Sequence, residues 1–414
     1  MIDVESCSLN MRYMFWRGHL LSERLITTLG LFTIGSLHAM IFAVFQIPEN
    51  FLLDRNSPEL AFYCKIVLYS FAIGASLSHQ LLCRKIGLRK TLYVGLLCNL
   101  LGLATLMLNK LSGGSLFLIF LDMIFFGIAL TSVINALVTY IILEFPKKIG
   151  TGITAFFACL NGGVLLAPFL LNVFLHRETL FYFLLMGLIL LSLWYVHVTF
   201  FEPPFPAHLA HLRQGTLIWK ELHYRLGLFV TAIVCYGLTE TTFNLWGFIQ
   251  IDNVLGTLIA NETIPIFWLF LIIGQILLLI PLYFFPAKRI FYLLILTVFA
   301  AGIYFSHQTH LAGFISGLAL AGFGCSAVFP ILLSMMEKEI LSFAEPSQLL
   351  PFIETVVSVM LAGYFFGVGI IDLWVQKWGA HPVFALPTHF FLASLFIGIT
   401  GILAIYLNWT VPKR

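Results

Sequence analysis

The sequence predicts an all-α polytopic membrane protein: twelve transmembrane helices in two six-helix halves, with both termini on the cytoplasmic side. Three observations predict it. The 414 residues are 60% hydrophobic and 10% charged, with mean hydropathy +0.99, which is more apolar surface than a water-exposed fold can bury. Apolar runs of roughly 18–25 residues recur between short polar breaks. Of the 22 Lys and Arg, 17 fall in alternate connections and 5 on the other side, the bias expected of a chain with N-in and C-in topology.

In chain order, residues 1–24 carry no cleavable apolar core and form a short amphipathic cytoplasmic lead-in. Spans are expected near 25–46, 60–81, 91–109, 115–143, 151–174 and 179–200, which make the first half. Residues 201–225 (beginning EPPFPAHLAHLR at Glu202) are the longest polar connection and the expected cytoplasmic linker. Spans near 226–250, 264–285, 290–306, 312–335, 351–373 and 388–408 make the second half, and 409–414 a cytoplasmic tail. The net charge of +3 reflects the basic loops and not a nucleic-acid patch. Seven cysteines, Cys7, Cys64, Cys83, Cys98, Cys159, Cys235 and Cys325, are scattered, mostly through apolar runs and without a CxxC, so packing is expected of them rather than disulfides or a metal.

The chemistry concentrates in span seven, in YGLTETTFNLW. Tyr236, Glu240 and Asn244 recur at i, i+4 and i+8 and so share one helical stripe. An ionisable residue inside a span is costly and by default marks a pathway or a site. Glu240 lies about 14 residues into its span, ~21 Å deep, and His38 is at a similar depth in span one. A buried carboxylate changes its proton occupancy as its exposure to water changes, which suits proton coupling, and His38 titrates in the range for proton exchange. The alternatives are a structural carboxylate and a packed neutral imidazole. Asn135, Asn161 and Gln275 fall inside spans and can bind a polar solute or a neighbouring helix. Tyr236 and Trp246 offer a hydroxyl and a stacking wall, or packing alone. Asp122 either replaces a missing acid or sits near the headgroups, whereas Glu354 and Asp372 lie near the ends of span eleven, where gate contacts are expected. P-loop, GxSxG and HExxH motifs are absent from the sequence, so neither an enzyme nor a cofactor or metal is expected.

Several stretches resemble the major facilitator superfamily and, within it, the fucose:proton symporter-like branch. GASLSHQLLCRKIGLRKTLYVGL, from Gly74, resembles the superfamily's loop after span two, with Gly74, Gly87, Arg89 and Lys90 at the recurring glycine and basic positions. Arg84 stands where that loop usually has an acid. Asn135-Ala-Leu-Val-Thr139 is similar to the branch's Asn-Pro-Phe-Val-Thr, with Thr131 where it commonly has a glutamate; span one offers His38 and Gln46 in place of its acid. FFACLNGGVLLAP at Phe156–Pro168, GFGCSAVFPILLS with Phe329-Pro330, Gly369-Ile-Ile-Asp372 before Gly379, and Tyr236-x-x-x-Glu240 with Trp246 complete the resemblance. It implies a monomeric transporter in a cell membrane, a bacterial inner membrane by analogy, with its site near the bilayer midplane between the halves. It also implies a sugar-like solute and proton coupling, for which the chemistry above offers Glu240 and His38 because the branch's own acids are absent; the alternatives are a uniporter or exporter of another small solute and a non-transporting sensor or scaffold with the same fold. Arg84, Arg89, Lys90 and Asp372 would serve loop contacts and gating, the basic loop by touching the opposite half.

Overall fold

The computed structural model describes residues 25–44, 58–146, 148–174, 178–199, 218–343, 349–378 and 388–409. The lead-in, most of the linker, the tail, Gln46 and Gly379 lie outside these residues. The described residues hold twelve helices long and apolar enough to cross a bilayer. Spans 1–6 are Leu25–Val44, Glu59–Ile86, Leu88–Leu111, Leu116–Glu144, Ile149–Ala167 and Thr179–Thr199. Spans 7–12 are Tyr224–Leu255, Thr257–Phe284, Ala287–Ser306, Leu311–Met336, Phe352–Val375 and His389–Leu407.

The boundaries differ from expectation chiefly around span 7. Its helix begins at Ile218, inside the stretch expected to be linker, because IWKELHYR is as good a helix former as the apolar run it precedes. At its other end the span runs on to Leu255, and Gly256 breaks it with a φ of 97°, a backbone setting that favours glycine. Gly87, φ 85°, turns the chain in the same way between spans 2 and 3.

The two halves are built alike. Spans 2 and 4, 3 and 4, and 3 and 6 pack together in the first half; spans 8 and 10, 9 and 10, and 9 and 12 do so in the second. The same exchange carries the 2–11 contact between halves into the 5–8 contact. Glycine makes the equivalent crossings possible: a Cβ on Gly127 of span 4 would strike the Leu68 carbonyl of span 2, and one on Gly322 of span 10 the Phe267 carbonyl of span 8. Large apolar side chains such as Phe117, Leu258 and Phe284 are more than 70% exposed, an outer surface suited to acyl chains.

The halves touch toward both membrane faces. Toward one, Lys65 of span 2 meets Asp372 of span 11. Toward the other, the Lys148 ammonium donates to the Tyr283 carbonyl at 2.7 Å and lies 4.0 Å from the centroid of that ring.

Candidate functional site

Two cavities lie between the halves. The first, about 130 Å³, is lined from spans 1, 4, 5, 7, 8, 10 and 11 and holds His38, Asn161, Tyr236, Glu240 and Gln275. The second, about 140 Å³, holds Lys65, Tyr69, Glu240, Asn244 and Asp372. Glu240 is the carboxylate common to both linings.

Glu240 is 7% exposed and accepts a hydrogen bond at Oε1 from the Tyr364 hydroxyl, 3.1 Å away. Tyr236 donates its hydroxyl to the Cys325 carbonyl at 3.0 Å, and its ring stacks on Tyr364 with centroids 6.1 Å apart. The expected stripe is therefore divided by depth, with Tyr236 in the first cavity, Asn244 in the second and Glu240 in the shared wall. Asn244 Oδ1 accepts from the indole of Trp268 at 3.1 Å.

His38 is buried on the first-half wall. Asn99 Nδ2 lies 2.8 Å from Nδ1 and the Leu130 carbonyl 3.3 Å from Nε2. A donor at Nδ1 and an acceptor at Nε2 fit a neutral imidazole protonated on Nε2. Across the same cavity Asn161 Nδ2 donates to Gln275 Oε1 at 3.2 Å, joining span 5 to span 8.

Asp372 is 4% exposed, with Lys65 Nζ at 2.5 Å from Oδ1 and the Tyr69 hydroxyl donating to Oδ2 at 2.8 Å. This cluster forms the far side of the second cavity and is supplied by both halves, in keeping with a gate contact.

Six expected residues lie elsewhere. Trp246 lines neither cavity; it is buried and stacks on His389, rings 4.0 Å apart. Six residues after Glu240, it points to another face of the helix. Asn135 also lines neither cavity: its Nδ2 donates to Ser76 Oγ at 3.0 Å, and Ser76 in turn donates to the Ser358 carbonyl at 2.8 Å. This run of bonds ties span 4 through span 2 to span 11. Arg84 and Lys90 are exposed, away from both cavities. Arg89 donates to the carbonyl of His197, so among the described residues the basic loop meets span 6 of its own half. Asp122 lines neither cavity: 1% exposed, it accepts from Thr105 Oγ1 at 2.8 Å.

The sequence reading missed Tyr364, Trp268, Asn99, Lys65 and Tyr69. Lys65 does carry a sign, being a cation inside an apolar run. The aromatic residues carry none, being three among many in a chain with 42 Phe, 14 Tyr and 8 Trp.

Comparison with known proteins bears on the fold as a whole. The E. coli fucose:proton symporter FucP superposes with a TM-score of 0.70 at 16% identity, covering 92% of this chain and 98% of that one. A second FucP structure, in the outward conformation, gives 0.71 at 15%, covering 93% and 99%. The human organic anion transporter MFSD10 (TETRAN) gives 0.68 at 15%, covering 92% and 99%. No curated protein matches in sequence. The family profile described as Major Facilitator Superfamily matches residues 24–344, most of the chain. The chain belongs to the Major Facilitator Superfamily of membrane transporters.

Proposed function

We propose that the protein is a secondary active transporter that moves a small polar solute, sugar-like in size and hydrogen bonding, by alternating access and with proton coupling through Glu240. The carrying observation is the position of Glu240 in the wall shared by two cavities between the halves. A carboxylate there can meet water from either side as the halves rock, and so can load and release a proton. Tyr236, Asn161, Gln275 and Asn244 supply donors and acceptors for the solute, and His38 a second proton-exchanging group. Asp372 with Lys65 forms the gate. The likeness to the E. coli fucose:proton symporter supports the choice of solute class, coupling ion and bacterial inner membrane, and the Lys and Arg bias supports N-in and C-in topology. The lined cavity favours transport over a sensor or scaffold that merely kept the fold.

Thermal-shift screening of purified protein against sugars, nucleosides and amino acids identifies the solute, since a ligand at 100 times its Kd stabilises by about 2.7 kcal/mol. In proteoliposomes Glu240→Gln is then expected to abolish accumulation driven by a pH gradient while leaving solute exchange. Undiminished proton-driven uptake in that variant would sink the coupling reading.

A further inference from the structure

The two cavities meet at a neck. Phe42, Glu240, Trp268, Tyr364 and Phe365 line both, so four aromatic side chains from spans 1, 8 and 11 surround one carboxylate. Tyr364 is fixed at three points: its hydroxyl on Glu240, its ring stacked on Tyr236, and Phe329 at 5.2 Å between centroids. Asp372 sits eight residues further along the same helix, on the same stripe, where it closes the second cavity through Lys65. A displacement of span 11 that separates the ion pair therefore carries Tyr364 with it.

We propose that Tyr364 is the inner gate between the two cavities, and that its hydrogen bond to Glu240 makes gate closure depend on the proton carried by Glu240. The proposal rests on the reading of Glu240 as the coupling carboxylate. Its physical basis is the difference between acceptors. A hydroxyl bound to an ionised carboxylate makes roughly twice as strong a bond as one bound to a neutral acid, so a proton arriving on Glu240 loosens the tie. Tyr364 acts through Glu240 and is a positioning residue.

The other titratable groups around Glu240 are already engaged. On its own span the Tyr236 hydroxyl interacts with Glu240 as well as donating to the Cys325 carbonyl of span 10, and Cys325 itself lies at that contact. His38 of span 1, across the first cavity, has Asn99 and Leu130 at its two nitrogens. Across the second cavity Lys65 and Tyr69 of span 2 are held by Asp372 of span 11. Tyr236 shares a helix with Glu240, whereas Tyr364 binds it from span 11, so protonation of Glu240 reaches span 11 through Tyr364.

The test needs no knowledge of the solute. Reporter cysteines are placed one per protein at Ser326, which lines only the first cavity, and at Val368, which lines only the second. A membrane-impermeant thiol reagent is added from the Lys65–Asp372 face, with labelling of the parent protein subtracted. The Ser326→Cys to Val368→Cys rate ratio removes the thiol's own response to pH and the opening of the outer ion pair. The ratio is expected to rise roughly fivefold from mildly alkaline to mildly acidic buffer, the factor separating a charge-assisted from a neutral hydrogen bond. In Tyr364→Phe, which keeps the ring and its packing, the ratio is expected to be high and flat with pH. Glu240→Gln should behave likewise. A Tyr364→Phe ratio with the parent's size and pH response overturns the gate, whatever the uptake assay on Glu240→Gln gives. A flat ratio in the parent overturns the link to protonation. Loss of pH-driven uptake in Glu240→Gln beside an unchanged Tyr364→Phe ratio would leave the coupling carboxylate standing and remove only the gate.

Discussion

The Lys65 ammonium lies 2.5 Å from the Asp372 carboxylate, although the two residues are 307 positions apart and belong to opposite halves of the chain. Their side chains are 29% and 5% exposed, so the pair is partly screened from water and not a surface contact. Asp372→Asn is expected to destabilise this closed arrangement by about 1–3 kcal/mol, below the cost of breaking a fully buried pair because Lys65 keeps some hydration. The charge-swapped protein with Lys65→Asp and Asp372→Lys should recover part of the loss. A double-mutant cycle on thermal unfolding in nanodiscs measures this, and additive single effects would remove the pair's role.

Asn99 holds the imidazole of His38. In Asn99→Leu the buried Nδ1 loses its donor, and a loss of about 1–3 kcal/mol follows from the unsatisfied group. Asn99→Asp presents an acceptor instead and should favour a doubly protonated ring. The carbon shifts of labelled His38 in an NMR titration distinguish the two; identical titrations in both variants would show that Asn99 does not set the ring's charge.

Two neighbouring glycines give opposite expectations. A Cβ on Gly163 would collide with the Ser36 backbone carbonyl of span 1, while one on Gly162 would meet no atom within 4 Å. Gly163→Ala should therefore cost about 1–3 kcal/mol by forcing spans 1 and 5 apart, whereas Gly162→Ala should be neutral or slightly stabilising in a helix. Melting curves of the two proteins decide it, and equal values would contradict the close approach of the helices.

Asn161 and Gln275 bond to each other across the first cavity. Gln275→Leu frees the Asn161 amide and removes one solute contact, so affinity for the transported solute is expected to fall about tenfold, or ~1.4 kcal/mol. Titrated thermal shifts provide the measurement. Unchanged affinity would assign the pair to helix packing alone.

Hydropathy made the twelve spans legible, because a helix that crosses a bilayer has to be apolar over a fixed length, whatever its neighbours. Glu240 was legible for the related reason that a carboxylate at that depth carries a cost visible without any partner. What stayed hidden depends on who meets whom. Nothing in the sequence says that span 2 packs along span 11, so Lys65 could be counted for topology while its partner Asp372 was read as a gate residue without a cation. Tyr364 is indistinguishable from a packing tyrosine until Glu240 is beside it. Trp246 failed in a different way: its nearness to Glu240 along the chain suggested a shared wall, but angular position on the helix governs which wall a residue reaches, and it reaches His389.

Span 7 carries one turn wider than the rest, the π-helical segment Thr242–Trp246, which begins two residues after Glu240. A π turn is one residue of surplus in an otherwise regular helix. Here it works as a register adjuster. Before it, the helix is phased so that Tyr236 and Glu240 face the space between the halves; within it, Phe243 packs against Phe267 and Phe390, and Trp246 against His389. Deleting one residue of the wide turn would restore an unbroken α-helix and rotate everything beyond it by about 100°. The stretch Gly247–Leu255 would then turn away from its present neighbours. The surplus residue lets a single helix serve a polar interior on one stretch and an aromatic packing surface on the next, without bending at proline or unwinding.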